Sequence, residues 1–299
     1  MPKAIRAGAR RRPPYLLLAP FFLLYLVFWL VPLGYGALLS LYGDAISGRG
    51  DYLGLAHYLS LLGDGRFHRA LLNTGLYAGG VLVTVVPLAL ALALALAAVP
   101  YRLREVFQFM LLLPGLVAPA VLAILFLLVF SGPYGLLNTV LLAPFGSPDL
   151  DWLRDPLLIR VGLVIQALWR WTGLIAFFLA AGLGSLPRRY YDVAELEGSS
   201  GLQTLRYVTL PLLRPILAFV GLVLVFDAFV LFSGAYVLLG GSGGPQDAGL
   251  LLVTYIYLTA FSFGDFSYAA AMSYALIPLL ALFVFLFMRY KSSPLMRGS

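Results

Sequence analysis

Six apolar stretches, each long enough to cross a bilayer, recur along this 299-residue chain, and they restrict it to a membrane fold. A hydrocarbon core about 30 Å thick is crossed by about 20 helical residues, each rising about 1.5 Å. With no water at that depth to meet backbone N–H and C=O groups, only helices or closed barrels can span it. The stretches are 15–39, 72–99, 106–130, 157–183, 212–239 and 268–288. The composition agrees: 62% hydrophobic and 11% charged, against about 25% charged in a soluble domain. An all-α, polytopic membrane protein with six transmembrane helices is expected. The first stretch exceeds a signal-peptide core and no small-x-small cleavage site follows it, so it is read as a span. The second contains LALALALALAA from Leu88, whose alternation suits a strand. Its length favours a helix instead, with Ala89, Ala93 and Ala97 forming a small-residue stripe for close helix approach.

Charge sets direction. Fourteen of the twenty Lys and Arg residues flank one side of the spans: five precede the first, Arg102 and Arg104 follow the second, Arg188, Arg189, Arg206 and Arg214 surround the connector between the fourth and fifth, and three close the chain. Arg49, Arg66, Arg69, Arg154 and Arg160 fall on the other side, and Arg170 lies within a span. The positive-inside rule then puts both termini and that connector in the cytoplasm. The net charge of +7 belongs to these short flanks rather than to one folded face, so nucleic acid is not expected as a partner. Without cysteine there is no disulfide, Cys-bound zinc or thiol nucleophile, and His57 and His68 sit outside the apolar spans. The chain divides into a basic N-terminus at 1–14, a first span with an external loop at 15–71, a five-helix core at 72–290 and a tail at 291–299.

The connector at 187–211 carries a spaced pattern. Asp192-Val193-Ala194 is followed by three residues, Gly198, nine residues, Val208, one residue, and Leu210-Pro211. Gly198 suits a hinge between two short helices, and Pro211 with Pro215 suits the start of a span, where a missing N–H costs least. Asp192, Glu195 and Glu197 offer carboxylates to basic groups of a partner. The residues alone also allow an amphipathic connector lying on the membrane surface. The pattern resembles the EAA loop of ABC-importer permease subunits, with Asp192 in place of that loop's Glu and Val193 in place of its first Ala. The resemblance implies the type I importer permease fold, in which this loop forms two short cytoplasmic helices that dock into a cleft of an ATP-hydrolysing subunit. It assigns coupling to Asp192, Ala194, Glu195, Glu197, Gly198, Val208, Leu210 and Pro211.

A second series reads GGSGGP at 240–245, YIYLTAF at 255–261 and DFSYAAAMSYAL from Asp265. It resembles the carbohydrate-uptake subfamily of these permeases (those for maltose, lactose and glycerol phosphate), departing at Gly249, where the family has Thr, and at Ser267, where it has Gly. The glycines are not a phosphate loop, because no Lys followed by Ser or Thr succeeds them. Two ionisable residues fall deep in apolar runs, Arg170 in the fourth and Asp227 in the fifth. Such residues either pair with each other or line a cavity. The runs Trp169-Arg170-Trp171-Thr172-Gly173 and Phe226-Asp227-Ala228-Phe229 match regions that the resemblance places at the sugar site. The candidate pathway set is therefore Gln166, Trp169, Arg170, Trp171, Phe226 and Asp227. Asn73 and Thr74 open the second span as a family-like pair or an interfacial cap. Asp149, Asp151 and Asp155 lack calcium-loop spacing and read as a solvated turn. No catalytic constellation is present.

The resemblance implies an importer built from a second related permease, two ATP-binding cassette subunits and an external solute-binding protein, in a bacterial or archaeal inner membrane. ATP and magnesium would bind the cassette subunits, leaving this chain without cofactor or catalysis. The rival readings are a permease for a non-sugar solute such as polyamine or phosphate, and a secondary transporter.

Overall fold

The computed structural model describes residues 15–43, 50–146 and 150–291; the segments 1–14 and 292–299, Arg49 and Asp149 lie outside them. Helix α1 runs through Tyr15–Tyr25, a π turn Leu26–Leu30 and Val31–Leu39. It is followed by α2 (Ala56–Gly63), α3 (Gly65–Ala97), α4 (Tyr101–Leu116), α5 (Pro119–Val129), α6 (Pro156–Ser185) and α7 (Arg189–Leu196). Then come α8 (Gly201–Val230), α9 (Ser233–Leu238), α10 (Leu252–Ser262) and α11 (Phe266–Lys291). Among the described residues five helices are long and apolar enough to cross a membrane, or six spans when the bent pair α4–α5 is counted as one.

Three spans differ from their sequence limits. The third is not one rod: α4 and α5 meet at 95°, because Pro114 and Pro119 bracket an extended Val117–Ala118 step that cannot continue the helix. The second begins at Gly65 rather than 72, since Asp64 caps it by accepting from the Arg66 and Phe67 amides at 2.9 and 3.0 Å. The fifth runs from Gly201 to Val230 rather than over 212–239, so the connector's second helix is not a separate short element. Pro211 therefore sits inside α8. Its missing N–H is accommodated by a π turn at Leu205–Thr209, closed by the Leu210 amide on the Leu205 carbonyl. Pro32 in α1 follows the same arrangement, with the Val31 amide reaching Leu26.

The core forms around α3 and α6, which make the most extensive helix contact. Ala89 and Ala93 are completely buried, as the small-residue stripe requires, whereas Ala97 is exposed and Leu96 takes the third inward position. Gly173 lets α4 cross α6 closely: a Cβ there would lie 1.7 Å from the Leu111 carbonyl oxygen. Beyond α5, Trp152 stacks on Phe130 at 5.5 Å and donates to Asn138, whose amide donates to the Gly132 and Leu150 carbonyls. Asp155 caps α6 through the Leu157 and Leu158 amides, and Asp151 lies 3.7 Å from exposed Arg154.

The bundle has two distinct ends. Arg66 at the start of α3 binds Asp247, and Gly244 lies against Ile159 near the start of α6, so these share one end. The α7 connector meets Leu94 near the close of α3 and occupies the other. Ser242 and Ser199 are exposed at these opposite ends. Single substitutions Ser199→Cys and Ser242→Cys in this cysteine-free chain are expected to label from opposite sides of the membrane, checked with an impermeant maleimide on intact and permeabilised cells. Labelling of both in intact cells would contradict the crossing pattern.

Candidate functional site

At the connector end, α7 terminates on Gly198. The Gly198 and Ser199 amides donate to the Glu195 and Ala194 carbonyls, both at 3.0 Å, with Gly198 at φ +71°. This six-to-one closure requires a left-handed residue, which glycine supplies without penalty. Ser200 then caps α8 in a reciprocal box with Gln203. Only four residues separate the end of α7 from the start of α8, which makes Gly198 the bend that the spacing predicts. The Tyr191 hydroxyl donates to Thr209 Oγ1 at 3.2 Å, tying α7 to the π turn of α8. Ala194 is buried, while Asp192, Glu195 and Glu197 are exposed. Val208, Leu210 and Pro211 are only partly exposed and shape the π turn rather than an outer face. The apolar outer face comes from Val193, Leu196, Leu202 and Tyr207, exposed by 57, 88, 76 and 70%. Sequence reasoning missed these four; apolar residues isolated on two polar half-turns around Gly198 were the available signal.

Mid-bundle, Arg170 and Asp227 meet. Arg170 Nη1 lies 3.6 Å from Asp227 Oδ1, and Trp171 Nε1 donates to Asp227 Oδ2 at 2.8 Å. The guanidinium also rests over the Trp171 ring at 5.0 Å. Arg170 occupies the middle of α6, but Asp227 stands three residues before the end of α8, where the helix gives way to α9. Arg170 and Trp171 line a small cavity with Tyr77, Gln166, Leu231 and Gly234, and Asp227 holds these two side chains from outside its wall. Gln166 Nε2 and Arg170 Nε are buried donors without an acceptor among the described residues, so the cavity wall presents hydrogen-bonding capacity that a polar guest would satisfy. Tyr77, the lone tyrosine on the inner face of α3, was not anticipated.

Two members of the predicted set stand apart. Trp169 faces a separate apolar cavity of about 610 Å³ between α4, α5 and α6, edge-on to Phe126 at 6.2 Å. Positions two apart lie on different helix faces, so Trp169 and Trp171 do not share a site. Phe226 is partly exposed and, like Asp227, is not part of the wall of the small cavity beside Arg170.

The opposite end holds a polar clasp that the sequence only hinted at. Arg66 grips Asp247 through two hydrogen bonds of 2.8 Å, and Asn73 Nδ2 donates to the Asp247 and Leu250 carbonyls at 2.7 and 3.2 Å. Thr74 Oγ1 accepts from the Leu252 amide at 3.0 Å. Asn73 and Thr74 are buried within α3, so they do not cap it; they clamp the glycine-rich loop. Gln246 and Asp247 both have φ of +55°, a strained pairing for non-glycine residues that the clasp holds in place. Gly249 is forced by space: a Cβ would lie 2.2 Å from the Leu239 side chain. Asp64, besides capping α3, accepts from the Tyr255 and Tyr268 hydroxyls at 2.8 and 2.9 Å. Among the described residues no group of three acidic or histidine side chains gathers as a metal site.

The hydrogen bond from Arg66 holds the Asp247 carboxyl below the ordinary aspartate value of 3.8, against a smaller opposing effect of burial. Burial pushes Asp64 upward, but bonds from the Phe67 amide, the two tyrosines and the Arg66 amide outweigh it and leave its pKa lowered. A carboxylate depressed in the folded state stabilises the protein above its unfolded pKa, and that contribution is lost as pH falls through the folded value. Asp247→Asn is therefore expected to lower thermal stability at neutral pH, with the gap from wild type closing as pH drops below 3.8. Melting of the purified protein against pH checks this, and a gap independent of pH would contradict it.

Comparison with known proteins places these features in a lineage. The family model described as binding-protein-dependent transport system inner membrane component matches residues 85–297. The lactose transport system permease protein LacF of Rhizobium radiobacter is 34% identical over 278 residues, covering 91% of each chain. The arabinooligosaccharides transport system permease protein AraP of Bacillus subtilis is 28% identical, over 90% of this chain and 85% of its own. The trehalose/maltose permease protein MalF of Thermococcus litoralis is 27% identical over 92% of each. In fold, the chain is similar to one in the crystal structure of a bacterial ABC transporter that imports the acidic polysaccharide alginate: TM-score 0.78, 21% identity, 92% of this chain and 93% of that one.

Proposed function

The chain belongs to the family of binding-protein-dependent transport system inner membrane components, and on that premise we propose that it forms, with a second related permease, the uptake pathway for a sugar or sugar-like solute. It is a transport subunit and not an enzyme. Sugar as the class is supported by relatives whose names state lactose, arabinooligosaccharides and trehalose/maltose. The observation that carries the mechanism is a single helix, α8, running from the Gly198 bend at one end to Asp227 beside Arg170 and Trp171.

In this reading an ATP-binding cassette subunit, one of two, receives the connector at 187–211 through Val193, Leu196, Leu202 and Tyr207, with Asp192, Glu195 and Glu197 meeting its basic groups. ATP and magnesium bind there and not on this chain. Closure of the cassette pair drags α7 and the foot of α8, and the pathway beside the Arg170–Asp227 pair changes the side to which it opens. The basic flanks put the connector and both termini in the cytoplasm of a bacterial or archaeal cell, so the clasp end faces the solute-binding protein. The core that performs this runs from α3 to α11.

Gly198→Val forces a β-branched residue into a left-handed conformation, although open space surrounds it. Uptake is expected to be abolished and cassette co-purification weakened, while membrane insertion persists; full retention of both would remove the coupling role. A second test concerns the half-buried Arg170–Asp227 pair. Losing one partner leaves an uncompensated charge, at a cost below the roughly 3–5 kcal/mol of a fully buried pair, whereas replacing both is often near neutral. The double variant Arg170→Met with Asp227→Leu is expected to assemble yet lose sugar uptake and sugar-dependent ATPase stimulation. Wild-type uptake by the assembled double variant would sink the pathway assignment.

A further inference from the structure

Helix α2 turns three different faces to its surroundings. Its inner face packs on the bundle: Leu61 is buried, the Tyr58 hydroxyl lies 2.8 Å from Ser40 Oγ, and the His57 ring meets Tyr268 at 5.8 Å while its Nε2 stands 3.1 Å from the Tyr42 carbonyl oxygen. A second face is apolar and uncovered by the rest of the chain. Leu55, just ahead of the helix, Leu59 and Leu62 are 65, 67 and 73% exposed, and at about 3.6 residues per turn they fall within an arc of about 60°. Ala56, Ser60 and Gly63 make a third face, small and exposed. No Asp, Glu, Lys or Arg stands between Asp51 and Asp64, so this segment gives the leucines no charged rim.

The anchors of the helix fix its depth. Ser40 directly follows the close of α1, Tyr268 lies in the first turn of α11, and Asp64, the residue after α2, caps α3. Three spans therefore reach the membrane surface at the level of α2, on the clasp end of the bundle. Exposed Tyr52 belongs to the same segment, edge-on to Tyr42 at 5.3 Å, and tyrosine is a favoured residue at that boundary. We propose that Leu55, Leu59 and Leu62 rest in the acyl boundary of the leaflet at the clasp end, so that α2 is an interfacial helix holding the corner between α1 and α3 at the membrane surface. Lipid suits the stripe because three uncharged leucines on one face gain by leaving water, and a helix lying at the interface divides its outer surface between lipid and water as the stripe and the small face do. A soluble protein that docks and leaves would return the stripe to water in every cycle. This placement goes beyond the transport reading and is independent of the solute carried.

The test uses the complete complex in phosphatidylcholine vesicles, with a nitroxide label on single substitutions Leu59→Cys, Leu62→Cys and Ser60→Cys in this cysteine-free chain, and the unsubstituted complex as background. Power-saturation EPR reads collisions of the label with oxygen, which concentrates in lipid, and with a water-soluble nickel chelate supplied on both sides of the membrane. Access to oxygen is expected to exceed access to the chelate at Leu59→Cys and Leu62→Cys, unchanged when binding protein is added, and the order is expected to reverse at Ser60→Cys. In a second chain carrying Leu59→Gln and Leu62→Gln, a label at Leu55→Cys is expected to shift from oxygen towards the chelate while co-purification with the second permease persists. Chelate access at both leucine positions would put the stripe in water, shielding from both reagents would put it under a protein, and loss of co-purification in the glutamine variant would mark a subunit interface; each outcome overturns the lipid placement. An unchanged label at Leu55→Cys in the glutamine variant would overturn the anchoring role.

Discussion

Backbone polar groups have no water to turn to inside a bilayer, and that constraint organises the whole chain. It makes the spans helices, and it also governs where they are allowed to break. Pro32 and Pro211 remove amide donors within long helices, and in each case the neighbouring amide reaches five residues back, so the helix widens without ending. Where the chain leaves helix at the glycine-rich loop, the freed groups are taken up by α3: Asn73 serves the carbonyls of Asp247 and Leu250, and Thr74 the amide of Leu252. Polar side chains in an apolar helix thus allow an irregular loop to pack against it.

The same continuity that satisfies the backbone makes α8 a rod. Its 30 residues span about 45 Å at 1.5 Å each, and the Tyr191–Thr209 bond fastens α7 to its foot. Under the coupling role proposed for the connector, displacement at Gly201 travels along one element to Asp227 rather than through a series of loose joints. There it meets Arg170 and Trp171 on α6, whose position is fixed by close contact with α3 and α4. A half-buried ion pair between a moving rod and a packed wall has few acceptable arrangements, because separation leaves both charges less well solvated. Such a contact favours switching between discrete states.

Much of this was legible in sequence. Apolar length alone located the candidate spans, of which the structure has five, or six with the bent pair α4–α5 counted as one, and the interval from Asp192 to Pro211 located the bend, because a left-handed helix end has one favoured residue. The depth of Arg170 and Asp227 foretold their contact. Span limits were less legible where caps and prolines act against hydropathy: Asp64 starts α3 within a polar stretch, and α8 begins at Gly201, well before its apolar run at 212. The separation of Trp169 from Trp171 followed from helical periodicity but was hidden by treating the W-x-W run as one surface. The clasp was obscured because Arg66 and Asp247 lie 181 positions apart, and no local pattern marks such a pair.

The central claim is that this subunit carries solute inward on the energy of ATP hydrolysis in a partner. The most direct measurement is accumulation of a radiolabelled oligosaccharide in proteoliposomes holding the purified complex, with binding protein outside and ATP inside. The account predicts accumulation above the external concentration, dependent on both additions and indifferent to proton or sodium ionophores. Accumulation that persists without ATP and collapses with an ionophore would contradict it, and would mark the chain as an ion-coupled transporter.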